Sequence, residues 1–419
     1  MIDGVPELCW SGSYAYRAKR LHRPESLEQV QEVVAAARHL RVLGTRHSFT
    51  GIADSDELIT LSGLPQDVEI DLATSTASVP AGMTYAELAE ELHRSGLALH
   101  NLASLPHVAV GGAVATATHG SGDRLGNLAT AVAALEVVTS GGEVLRVRRG
   151  DPGFDGMVVG LGALGAVTRV TLDVEPAYEV SQRVFEGLSW RALEDHLEAV
   201  TSAGDSVSLF TSWGPEVEQV WVKSRAQLED PRSDLFGAAP ATAARHPIPG
   251  LDPGDCTTQL GRPGPWSDRL PHFRAGFRAS RGEEIQSEHH VPRVHALAAI
   301  EAVRGVAAVV QPLLLVSEIR TVAADALWMS PQQGRDTVSF HFTWKLEPRG
   351  VHRAVATVES VLAALEARPH WGKLFTADAS EVRPLYGHLP EFLELVHRLD
   401  PSGVFRNDWF DMHLGAGDV

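Results

Sequence analysis

Two cysteines, Cys9 and Cys256, are all that 419 residues contain. They are too few and too far apart for a disulfide framework or a zinc ribbon, so a resident metal is not expected. No apolar run reaches the ~18 residues needed to cross a bilayer. The stretch Met1 to Arg20 also lacks the basic region and apolar core of a secretory leader. A cytoplasmic protein is the expectation. Basic side chains are scarce: 36 Lys plus Arg stand against 53 Asp plus Glu, a formal charge of −17. Such a surface repels phosphate backbones and anionic lipid, which excludes nucleic acid and membrane as partners and leaves a small neutral substrate.

Hydrophobic residues at 44% and charged residues at 21% are ordinary for a globular protein and supply apolar material for two cores. The length predicts two or three domains. Pro24-Glu25-Ser26 opens the first helix, where Ser26 and Gln29 have capping-box spacing and Val30, Val33, Val34 and Ala37 recur at helical intervals. Thr84 and Glu87 form a second capping box whose helix runs to Gly96, a stop residue. Arg41 to Leu43, Leu135 to Thr139 and Val167 to Val174 read as strands. The Pro-, Gly- and Asp-rich segment from about 228 to 268 reads as a surface loop or an insertion in a second domain.

Three Gly-rich stretches follow. Gly160 to Gly165 fits G-x-G-x-x-G, but a dinucleotide fingerprint needs a helix at its third glycine. Here a β-branched strand from Ala166 follows, which argues against a Rossmann site. Leu43-Gly44-Thr45-Arg46-His47-Ser48-Phe49 comes directly after a strand, and so small a turn can converge backbone N–H groups on phosphate oxygens. Taken alone, a loop histidine such as His47 more often makes surface hydrogen bonds. The third stretch, Ala103 to Gly122, carries almost no bulky or charged side chain over residues 108–119. Its backbone can lie flat against a large planar ligand or pack as a tight buried turn.

Strand alternation over Leu314 to Val322 places Glu318 and Arg320 on one face with Leu314, Val316 and Val322. Over Val338 to Lys345 it separates Phe340, Phe342 and Trp344 from Ser339, His341, Thr343 and Lys345. These patterns suit either structural ion pairing and a solvated face, or strands roofing a polar pocket. Arg368-Pro369-His370-Trp371-Gly372-Lys373 is a short basic cluster in an acidic chain.

Together these two loops resemble the phosphate-binding segments of the vanillyl-alcohol oxidase flavoprotein family. The Ala103-Ser104-Leu105-Pro106-His107 opening resembles the bacterial alditol oxidases. So do Glu318-Ile319-Arg320, His341-Phe342-Thr343, His370-Trp371-Gly372-Lys373 and the closing run Asp400 to Asn407. The likeness extends from about Trp10 to Asn407. It implies an α+β, two-domain FAD-binding fold of the vanillyl-alcohol oxidase type. Residues 1–178 would bind FAD, 179–385 would form a sheet-based substrate domain, and 386–419 would return to the first.

The resemblance also implies FAD bonded covalently to the His47 ring, as a single link because the second loop has no cysteine. Gly44, Thr45, Arg46, Ser48, Phe49, Ser104, Gly112, Thr116, Ala117, Thr118 and His119 would wrap the cofactor, with Val167 near the adenine and His370 beside the flavin. Ser104, Glu318, Arg320, His341, Thr343 and Lys373 become contacts to a small polyol. Arg320 and Lys373 would stabilise a developing alkoxide, while Glu318 would orient Arg320. The implied reaction is oxidation of a terminal alcohol of xylitol or sorbitol by O₂, yielding an aldose and H₂O₂, in a monomer. The alternative is an aldonolactone oxidase or dehydrogenase. One departure stands out: Glu288-His289-His290 has histidine where relatives carry an aromatic residue after the glutamate.

Overall fold

Local signals set the first elements in place. The computed structural model describes residues 8–225, 234–276 and 283–415. Residues 1–7 of the Met1 to Arg20 stretch and part of the 228–268 segment (residues up to 233) lie outside these. Strand β1 (Arg20–His22) leads to helix α1 (Leu27–Ala36), where Ser26 Oγ accepts from the Gln29 N–H. The chain then forms β2 (Leu40–Val42) and β3 (Glu57–Ile59), and the three strands pair in parallel in the order β1-β3-β2.

Strands β4 (Glu69–Asp71) and β5 (Thr76–Pro80) precede α2 (Tyr85–Arg94). Its Thr84–Glu87 capping box is complete on both sides, and Gly96 (φ +74°) closes the end in the left-handed conformation. Helix α3 (Val110–Ala115) sits inside the Ala-Gly-rich stretch. Strands β6 (Val132–Val138), β7 (Val144–Arg148) and β8 (Ala166–Asp173) complete a second, antiparallel sheet of order β4-β5-β8-β6-β7. The Gly160–Gly165 motif feeds β8, a strand, as its β-branched continuation predicts. One apolar core joins these two sheets.

A large antiparallel sheet follows. It contains β9 (Glu179–Ser189), β10 (Ser206–Thr211), β11 (Glu216–Ser224), β12 (Glu284–Pro292), β13 (Leu314–Val322) and β14 (Thr337–Lys345), in the order β9-β11-β10-β13-β14-β12. Helices α4 (Trp190–Thr201), α5 (Ala296–Gly305) and α6 (Pro348–Leu362) cover one face. Phe340, Phe342 and Trp344 are fully buried in this second core, so the alternation read over β14 holds. On β13 the alternation breaks at one point. The register shifts between Leu314 and Val316, and this bulge turns Leu314 into the helix-covered core, away from the face of Val316.

The segment from 234 to 276 is an insertion in the large sheet and not a surface loop. Ala239–Pro240 and Gly264–Pro265 both pair with β9, and Cys256, Thr257, Gln259 and Trp266 are buried. The chain finally returns. Trp371, Phe375, Val382 and Tyr386 enter the first core, followed by Phe392 on α7 (Leu389–Leu399), Phe405, and Phe410 on α8 (Asp408–His413).

Candidate active site

Between the first core and the face of the large sheet that its helices leave uncovered lies a cleft open to solvent. It runs continuously from the loops at Gly44 and Gly112 to the strand residues Glu318 and Thr343, so an extended ligand can touch both walls at once. Its floor is backbone. Arg46 (φ +66°) and Leu161 (φ +51°) line it in the left-handed region, which non-glycine residues adopt only where surrounding structure imposes it. A Cβ added to Gly112 would meet no protein atom within 4 Å and would project into the cleft. Beneath, the buried Arg41 guanidinium donates to the carbonyls of Leu161 (2.7 Å), Gly162 (2.9 Å), Phe405 (2.7 Å) and Ile52. It thereby ties the first loop, the Gly160–Gly165 turn and the returning chain together.

The two loops read from the sequence meet at this floor. Ala109 N–H donates to Thr45 Oγ1 at 3.2 Å, and His47 Nδ1 lies 3.0 Å from the same hydroxyl. Trp10 stacks on His47 at 4.9 Å. Burial, then the nearby His107, pushes the His47 imidazole down to about 4, which leaves it neutral at neutral pH. Gly44, Thr45, Arg46, Ser48, Phe49, Ser104, Gly112, Thr116, Thr118, His119 and His370 all line the cleft. Ala117 is buried with φ +52°, and Val167 stands on β8; neither is among the lining residues. Small residues, constrained turns and a long groove fit an extended dinucleotide such as FAD.

The opposite wall is made of side chains. Strand register sets Glu318, His341 and Glu288 side by side across β13, β14 and β12, with Arg320 and Ser339 one row on. All six expected polyol contacts (Ser104, Glu318, Arg320, His341, Thr343 and Lys373) line the cleft. The central anion, however, is Glu288. Its carboxylate accepts from Arg320 Nη2 and from Lys373 Nζ, both at 2.6 Å, and from Ser339 Oγ. His119 Nε2 lies 3.1 Å away. Glu318 stands further from Arg320, at 3.6 Å from Nε, and receives His272 Nε2 at 2.7 Å. The partner that orients Arg320 is therefore Glu288.

Burial opposes ionisation of Glu288, but Arg320 and Lys373 outweigh it and hold the carboxyl well below its usual range. Glu318 is lowered for the same reason, with Arg320 and His272 overcoming its burial. Burial lowers Lys373, opposed by Glu288, and keeps His119, His290, His341 and His370 neutral. His119, Glu288 and His290 present ligand atoms within 4.8 Å of one another. Two cations already occupy both Glu288 oxygens, which disfavours a metal ion there.

The turn carrying Lys373 joins the walls. Phe49 N–H donates to Gly372 O and His370 N–H to Glu288 O, both at 2.9 Å, and Trp371 is fully buried. The cluster read as basic is thus an internal link between loop and sheet.

Comparison with known proteins agrees with this geometry. The family described as "FAD binding domain" matches residues 18–148, and that described as "D-arabinono-1,4-lactone oxidase" matches residues 280–413. An alditol oxidase of a Streptomyces species is 47% identical over 95% of this chain and 96% of its own length. The chain belongs to the alditol oxidase family. An L-gulono-1,4-lactone dehydrogenase of Mycobacterium tuberculosis is similar at 28% identity, over 97% of this chain and 98% of its own length. A cholesterol oxidase structure from B. sterolicum superposes with a TM-score of 0.79 at 15% identity, covering 97% of this chain and 96% of that one. The fold of this alditol oxidase family member is thus the two-domain, α+β vanillyl-alcohol oxidase type.

Proposed function

We propose that this protein oxidises the terminal primary alcohol of a small alditol, such as xylitol or sorbitol, to the aldose. The observation that carries the reading is the Arg320–Glu288–Lys373 cluster facing the flavin-sized floor. FAD held by these residues would supply the two-electron oxidation of the alcohol and the delivery of those electrons, with two protons, to O₂ as H₂O₂. Arg320 and Lys373 stabilise negative charge developing on the substrate oxygen, an effect worth ~3–4 kcal/mol for one well-placed donor. Glu288 fixes both cations. Ser104, Glu318, His341 and Thr343 bind the remaining hydroxyls and favour polyols over simple alcohols.

The loops at 43–49 and 103–119 hold the cofactor, and neutral His47 is its single covalent anchor. Residues 1–178 with the returning segment form the FAD unit, and the large sheet forms the substrate unit. No single helix among the described residues is long and apolar enough to cross a bilayer. On this reading the protein acts as a cytoplasmic monomer. Anaerobic xylitol should bleach the yellow protein, and air should restore the colour with peroxide released. A second reading, aldonolactone oxidation, draws on the lactone-oxidase match over residues 280–413. Flavin that stays oxidised with xylitol but bleaches with the lactone would replace the first reading by the second. Yellow protein after acid precipitation tests the anchor; a colourless pellet with all the flavin in solution refutes it.

A further inference from the structure

Behind Glu318 lie two buried groups that the sequence reading did not single out. His272 Nε2 stands 2.7 Å from Glu318 Oε1, and Lys223 Nζ stands 3.1 Å from His272 Nδ1. Lys223 also meets the carbonyls of Leu270 and, at 3.1 Å, Pro271. Burial pushes Lys223 down to about 7, opposed by Glu318. The ionised Glu318 can only accept, so the His272 Nε2 facing it carries the ring's proton and donates, which leaves Nδ1 as the acceptor for a Lys223 N–H. Burial, then Lys223, pushes His272 down to about 4, in keeping with a neutral ring.

Aromatic rings and backbone bonds surround the imidazole. Phe210, Trp221 and Phe273 stand edge-on around it, with centroids at 5.4, 5.3 and 6.5 Å. Its own N–H donates to Ser104 O at 3.1 Å, and its carbonyl accepts from Thr257 N–H at 2.9 Å. Glu318 is thereby held by Oε1. Its other oxygen points toward Arg320 Nε at 3.6 Å and His341 Nδ1 at 4.0 Å. Arg320 Nε is buried and has no hydrogen-bond partner among the described residues. A carboxylate free to pivot would close this gap and satisfy Nε itself, because an unpaired buried donor is costly.

We propose that Lys223 and His272 are positioning residues that hold Glu318 off Arg320, keeping the pair open for one substrate hydroxyl. That hydroxyl accepts from Arg320 Nε and donates to Glu318 Oε2. The inference rests on the polyol reading of this cleft.

The test compares flavin-loaded wild type with His272→Leu, His272→Gln, Lys223→Met and Glu318→Gln, measuring KM and kcat on xylitol. His272→Gln keeps one donor and one acceptor, so it should stay near wild type. His272→Leu and Lys223→Met should raise KM about tenfold or more, the scale of a hydrogen bond to a charged group, with a smaller change in kcat. In a Glu318→Gln background, His272→Leu should add almost nothing, since both act through one carboxylate. An unchanged KM in His272→Leu overturns the proposal. So does an equal KM rise with and without Glu318, because that marks a purely structural role. Wild type that xylitol does not reduce overturns the substrate reading instead. The same variants are then compared on L-gulono-1,4-lactone, where the same KM pattern decides the inference.

Discussion

The two walls of the cleft are built by opposite means. The floor, from residues 43–49, 103–119 and 160–162, offers main chain and small side chains, and its chemistry comes from turns. The roof offers charged side chains from strands far apart in the chain, and its chemistry comes from register. A wall made of backbone tolerates side-chain change but not added bulk. A wall made of paired buried charges tolerates neither, because removing one partner strands the others.

The sharpest way to break this contrast is Glu288→Gln. Neutralising the carboxylate leaves Arg320 and Lys373 facing each other, so kcat/KM should fall by at least two to three orders of magnitude, on the order of losing a transition-state donor. Stopped-flow flavin reduction measures it. A loss below tenfold would place the orienting charge elsewhere. Lys373→Met should slow reduction by a similar or somewhat smaller factor and also change the pH profile. In wild type, Lys373 is depressed by burial, with Glu288, Arg320 and Glu318 around it. Its cationic form is therefore lost as pH rises, and kcat/KM should decline below the ordinary lysine value of ~10.4. A limb that survives unchanged in the methionine variant belongs to another group.

On the floor, Gly112→Leu should weaken FAD retention while sparing the fold, because the new side chain meets only the groove. Flavin content per protein after gel filtration reads this, and full occupancy would show that the cofactor lies elsewhere. The smallest effect belongs to neither wall. Thr84→Ala removes the α2 capping box and should cost about 1 kcal/mol of stability with kcat unchanged. Thermal unfolding and turnover measured side by side separate the two.

The same contrast explains what could be read without a structure. Both capped helices, the strand after Gly165 and the two loops announce themselves locally, because caps, turns and small-residue runs are contiguous. Glu318 and Arg320 were visible as two charges on one strand face. Glu288 was noticed only as a departure in its neighbours, although Glu284, Gln286, Glu288 and His290 alternate in the sequence as a polar strand face. What no local pattern reveals is that strand order sets β12 beside β14, which brings Glu288 between Arg320 and Lys373. Lys223 and His272 are harder still, since one sits on an ordinary strand and the other in an irregular insertion. The Leu314 bulge shows the converse: a perfect period of two fails where one extra residue enters the strand.

The returning segment has a consequence in time. Nascent chains leave the ribosome from the N-terminus, and domains begin to fold as they emerge. Here the first sheets emerge early, yet their core waits for Trp371, Phe392, Phe405 and Phe410. The large sheet, from 179 to 345 with a last short strand at Arg368–Pro369, is laid down before those residues exist. The unit that is begun first is thus finished last, and a chain stalled short of Lys373 has a roof strand order without the cation, and a floor without its stitching. Flavin capture and alcohol chemistry both become events of the completed chain.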